Sequence, residues 1–171
     1  CFIINNLEVK AEATEEYRYE IKDDGTIKLT EYLGNSEYVE VPETIDGIPV
    51  TELENTFSVF TWVSSVYIPA SIEEISGPQT FGSTALENIE VDEASEYFRD
   101  EDGILFDKEM TVLYAYPQKK MENTYYRVPD GVIRIEDNAF WYANIEELEL
   151  PDSLEEIGET AFFGMKITDI Y

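Results

Sequence analysis

The chain has 171 residues and is 43% apolar, enough for one packed domain or a stretch of a repeat array. Its net charge of −27, from 38 acidic against 11 basic residues, repels phosphate backbones and anionic lipid surfaces, so nucleic acid is not an expected partner. It has no His and only one Cys, Cys1, which rules out internal disulfides, Ser-His-Asp and Cys-His catalysis, and His- or Cys-based zinc sites.

The chain opens without Met on CFIINNLEVKAEA, residues 1–13. Ala11-Glu12-Ala13 has the small-x-small form of a signal-peptidase site, and Cys1-Phe2-Ile3-Ile4 fits the end of an apolar signal core. Residues 1–13 are therefore read as a signal-peptide remnant or N-terminal extension. A lipid-modified Cys1 and an ordinary N-terminal strand are the alternatives. Residues 14–37 follow as a capping hairpin: YRYEI (17–21) and TIKLT (26–30) alternate on either side of Asp23-Asp24-Gly25. Asp-Gly between alternating runs specifies a tight β-turn. No run approaches the ~18 apolar residues of a membrane span, so no membrane insertion is expected.

From residue 38 to 171 one spacing recurs. Pro42, Pro69, Pro129 and Pro151 are each preceded by Val41, Ile68, Val128 or Leu150, and two residues earlier by Val39, Val66, Tyr126 or Leu148. Alternating apolar residues stopped by Pro describe a short strand buried on one face. Three residues after the Pro stand Ile45, Ile72, Val132 and Leu154. Then come Leu53, Ile75, Ile135 and Ile157, and finally Phe57, Phe81, Phe140 and Phe162. A further copy, LENIEVD (86–92), keeps Ile89 and Val91 but carries Asp92 in place of Pro, and ITDIY (167–171) begins another. A unit of about 22–23 residues lies in the leucine-rich-repeat range, and such units bury their apolar columns only by stacking. The Phe column is expected to fill the core.

Extra residues around DGIPV (46–50) lengthen one repeat. A larger insertion at about 99–117 reads as a β-hairpin: ILF, a turn at Asp107-Lys108-Glu109, then TVLYAY. RDEDG (99–103) invites a calcium reading, but Phe98 falls at the first ligand position of an EF-hand loop, so a hairpin turn is the simpler expectation. With 38 acidic residues, no motif singles out a carboxylate pair for hydrolysis, and no Gly-rich phosphate loop occurs. No cofactor, metal or catalytic residue is expected.

VPDGVIRIEDNAF (128–140), LPDSLEEIGETAF (150–162) and IPASIEEISGPQTF (68–81) resemble the BspA-like, treponemal-type leucine-rich repeat. YEIKDDGTIKLTEYLGN (19–35) with VPETIDGIPVTELENTF (41–57) is similar to the capping module of that family, and EDGILFDKEMTVLYAYP (101–117) to its inserted hairpin. The Cys that the family keeps three residues after the Phe is replaced by Phe60, Thr84, Ala143 and Met165. The resemblance implies a mostly β, right-handed solenoid with short helical or 3₁₀ turns, an N-terminal hairpin cap and one inserted hairpin. It also implies a secreted or surface-attached bacterial protein, in a family where some members are adhesins that bind host matrix proteins such as fibronectin.

If the residues just before each Pro point inward, those two and four places before it point out. They should form two ladders on one sheet face, the concave face of such a solenoid. Tyr38, Glu40, Tyr67, Glu90, Tyr125, Arg127, Glu147 and Glu149 on these ladders are the candidate ligand-binding residues. Tyr and Arg are common contact residues, though cross-strand Tyr pairs also stabilise sheets without a ligand. The expected function is non-enzymatic binding of a host or neighbouring-cell protein or glycan. The alternative is a spacer or stalk in a longer surface protein.

Overall fold

A computed structural model describes residues 11–57, 62–120 and 124–171. Each repeat contributes two short strands on opposite sides of one coil. The Pro-terminated strands Tyr38–Glu40, Ser65–Ile68 and Asn88–Val91 pair in parallel, as do Tyr125–Arg127, Glu147–Glu149 and Asp169–Ile170. On the opposite side Ile27–Tyr32, Ile48–Glu54 and Glu74–Ser76 pair in parallel, and so do Val112–Ala115, Arg134–Ile135 and Glu156–Ile157. Between the two sides lie the apolar columns. Val39, Val66, Ile89, Val128 and Leu148 are buried, as are Leu53, Leu113, Ile135, Phe57 and Phe140. Phe rings of adjacent coils meet at 6.2 Å (Phe57–Phe81) and 5.6 Å (Phe140–Phe162). Full burial of one such side chain contributes roughly 1.5–3 kcal/mol, which a single isolated coil could not collect.

The return segments differ from expectation. No helix or 3₁₀ turn occurs among the described residues. Residues 136–143 instead form successive single turns, with Ala139 N donating to Glu136 O and Ala143 N to Phe140 O. Asn138 (φ 56°) and Tyr142 (φ 53°) are left-handed, and one coil later so are Thr160 (φ 54°) and Gly164 (φ 76°). A helical run needs φ near −60° at every position, so a left-handed residue every fourth place breaks it. At the position expected to replace the family Cys, Thr84 is exposed; Ser83 is buried instead and donates to Val63 O at 2.8 Å. Phe60 lies outside the described residues.

The N-terminal hairpin pairs Tyr17–Ile21 with Ile27–Tyr32. Its turn is held by Asp24, whose carboxylate accepts Thr26 N at 2.9 Å and Thr26 Oγ1 at 2.6 Å. Ala11–Ala13 adds a further strand outside it, against Arg18–Glu20. Tyr17, Tyr19 and Tyr32 close the first coil, with Tyr32 5.8 Å from Phe57. The extra residues near DGIPV make a second hairpin, Thr44–Ile45 against Ile48–Pro49, turning through Asp46 (φ 52°) and Gly47 (φ 80°).

The insertion is a three-stranded meander, Phe98–Glu101, Ile104–Asp107 and Val112–Ala115. Its first turn, Asp102-Gly103, has both residues left-handed, the type I′ geometry that matches strand twist. Its second turn is capped by Asp107, which accepts Thr111 N at 2.6 Å and Val112 N at 2.8 Å. The meander divides the array into two blocks with separate cores. Leu105 belongs to the first core, and its neighbours Ile104 and Phe106 belong to the second. Successive side chains on a strand point to opposite faces, so this strand serves as the wall between them.

Candidate functional site

The outward ladders form as the alternation requires, but as two groups of three strands. Tyr38, Ser65 and Asn88 align in register, and beside them Glu40, Tyr67 and Glu90. Tyr125, Glu147 and Asp169 align in the second block, with Arg127 beside Glu149. Nothing pairs Glu90 with Arg127, because the meander takes the place after Asn88–Val91: Ile89 N donates to Gly103 O at 3.1 Å and Val91 N to Asp100 Oδ1 at 2.9 Å.

Within each group the polar groups largely satisfy one another. Tyr67 donates to Asp92 Oδ2 at 2.8 Å, and that bond pushes its phenol up to about 12. Asp92 is held low by Ala94 N and then by Tyr67. Tyr125 donates to Glu149, which raises its phenol. Arg127 bridges Glu149 (3.1 Å) and Asp130 (3.0 Å). Asn88 donates to Glu90 at 2.9 Å. Tyr38 at 50% and Tyr125 at 45% exposure are the open aromatic rings of the ladders. Tyr171, 68% exposed, ends the second.

A second feature lies on the opposite side, at the junction of the two blocks. A groove of about 340 Å³ is bounded by Ile75–Pro78 and Phe81 on one wall, Tyr114–Tyr116 and Gln118 on the other, and Asp137 and Trp141 beyond. Gln118 is only 5% exposed, and its Nε2 has no hydrogen-bond partner. Trp141 stacks on Phe163 at 4.5 Å, with Tyr142 edge-on to both. Burial, and then the charges of Glu136 and Asp107, raise the Tyr114 phenol. Reading by columns misses this groove because its residues come from the insertion and the turns. Two signals were available: the long step across the insertion, and the aromatic directly after the Phe column in the last two full coils, Trp141 and Phe163. Among the described residues no cluster of three or more acidic or Cys side chains is placed to hold a metal.

Residues 113–171 match the family described as the BspA type leucine rich repeat region (6 copies). No curated protein matches the sequence. Among solved structures, a leucine-rich repeat protein from Eubacterium ventriosum superposes with a TM-score of 0.60 at 17% identity, over 94% of this chain and 67% of that one. The pneumococcal vaccine antigen PcpA gives 0.54 at 23% identity, over 81% of this chain and 43% of that one. A leucine rich cell surface protein from Faecalibacterium prausnitzii gives 0.54 at 18% identity, over 94% and 76%. At these identities the likeness is one of fold, and the chain spans less than half of the pneumococcal antigen.

Proposed function

We propose, on the premise that this chain is built from BspA-type leucine-rich repeats, that it is a non-enzymatic binding module of the bacterial cell surface. Its ladder face makes the contact, with a host or neighbouring-cell protein or glycan as partner. The observation that carries the reading is the register: within each three-strand group, side chains two and four places before the Pro line up as outward columns. Each group presents Tyr rings and carboxylates on a parallel sheet, and rigid aromatic anchors bind at low entropy cost. The surface location rests on the family and on solved relatives described as a vaccine antigen and a cell surface protein.

The test is binding of the full chain to immobilised matrix proteins and a glycan array. The triple variant Tyr67→Ala, Tyr125→Ala, Arg127→Ala should lose at least roughly ten-fold in affinity for whatever the parent binds, since such anchors dominate interfaces. Undiminished binding by a folded triple variant would remove the ladder face as the contact.

The second reading is a structural spacer, and the mutual satisfaction of Tyr67 with Asp92 and of Arg127 with Glu149 favours it. A spacer predicts that the triple variant changes only the unfolding midpoint.

A further inference from the structure

The junction groove contains an unpaired strand edge. Glu74–Ser76 pairs only with the strand before it; no strand lies on its other side among the described residues. Ser76 O accepts Asn55 N, and Glu74 and Ser76 are in register with Glu52 and Glu54, so the strand pairs with the preceding coil through the residues flanking Ile75. Alternation then turns the N–H and C=O of Ile75 toward the groove. Ile135 occupies the same column in the second block. There the outward carbonyl accepts Gly158 N at 2.8 Å from the next coil. Ile75 has no such neighbour, because the coil that would supply it is displaced by the meander.

The rest of the groove complements a backbone. Gln118 lines the same space, and its buried amide donor has no acceptor; a buried unsatisfied donor is a substantial cost, which a small turn of the side chain toward a ligand carbonyl would relieve. Ile75, Pro78, Phe81 and Tyr116 supply apolar walls. At the far end Asp137 has one carboxylate oxygen engaged by Glu159 N, and Trp141 lies stacked on Phe163. A carboxylate beside an aromatic face suits a Lys or Arg side chain. The −27 chain attracts a cation there and repels an acidic segment.

We infer that the junction groove takes an extended basic polypeptide segment, which adds as a strand to the Glu74–Ser76 edge. A main-chain carbonyl of the segment accepts from Gln118 Nε2, and a cationic side chain lies against Trp141 and Asp137. Strand addition of this kind draws affinity from main-chain bonds and specificity from side-chain pockets. The site is independent of the ladder face, so either assignment can fail alone.

The test uses the full chain and the capped pentapeptide Lys-Val-Lys-Val-Lys in calorimetry and amide hydrogen exchange. Two analogues, N-methylated at every second residue in one frame or the other, keep the charge but remove alternate N–H groups. The expected result is binding with slowed exchange at Ile75, loss in at least one methylated frame, and roughly ten-fold weakening in Gln118→Leu, as for one hydrogen bond in a buried site. Binding that survives in both methylated frames reports charge attraction alone and overturns the inference. So does absence of binding, or preferred binding of a neutral N-acetylglucosamine trimer at the same amides. Because the methylated analogues act on the unaltered protein, the outcome does not depend on how well the Gln118 variant folds.

Discussion

The two three-coil blocks use the same columns but bury them to different extents. In the interior of each block the columns are closed: Leu53 and Phe57 in the first and Ile135 and Phe140 in the second are fully buried. At the last coil of each block the second-side column opens. Ile75 and Phe81 are only partly buried, Ile157 is 47% exposed and Phe162 is partly buried. On the Pro-strand side the blocks part company. Ile89 is fully buried under the meander, whereas Ile170 is 49% exposed. The identity of a column residue therefore does not set its burial; the presence of a following coil does. The insertion covers one side of the first block and leaves the other as a groove.

Swapping equivalent residues tests this most severely in the Phe column. Phe140 packs against Tyr116, Tyr126 and Phe162. Phe140→Ala should cost about 3–5 kcal/mol in urea unfolding, and Phe162→Ala less than about half of that. Equal losses would mean that position in the stack does not matter. Next in size is the seam itself. Asp107→Ala releases Thr111 N, Thr111 Oγ1 and Val112 N from their acceptor, and should lower stability by about 1–2 kcal/mol. Exchange should rise first at Ile104–Ala115 if the meander is the joint between the blocks.

The blocks also share an electrostatic device. Lys28 bridges Glu20 (3.1 Å) and Glu54 (2.8 Å), and Arg134 bridges Glu136 and Glu156, both at 2.8 Å. Lys28 is the more enclosed of the two cations. Lys28→Met should cost about 1 kcal/mol and Arg134→Met less, with both losses shrinking in high salt. The smallest effect concerns Tyr67. Its folded value of about 12 lies above the ordinary phenol value near 10. The bond to Asp92 therefore contributes fully below pH ~10 and fades as the pH rises through ~12. The difference between ultraviolet titrations of the parent and Asp92→Asn should show one of the late phenols moving back toward 10.

The coil, the cap and the core columns were legible from the sequence because each rests on local chemistry repeated in register: alternation before Pro, Asp-Gly at a hairpin, Phe at a fixed offset. The outward orientation of Tyr38, Tyr67, Tyr125 and Arg127 followed from the same alternation. The break in the ladders between Glu90 and Arg127 was not legible, because it depends on where the meander lies in space. The groove escaped for the same reason. Gln118 reads as an ordinary polar residue after Pro117, and nothing local in the sequence marks it as buried. The turns were misread as helical because left-handed Asn138, Tyr142 and Thr160 are imposed by coil-to-coil contacts, such as Thr160 Oγ1 donating to Asn138 Oδ1 at 2.7 Å.

The central claim is that the array is two closed stacks meeting at an open strand edge. Amide hydrogen exchange at Ile75 and Ile135, read by NMR on the free protein, tests it most directly. The two residues share a column and differ in whether a coil follows. The Ile135 amide should be protected and the Ile75 amide should exchange at least about 100-fold faster, as expected for an unpaired edge group. Equal protection at the two positions would mean that the edge is paired, and the open junction would be wrong.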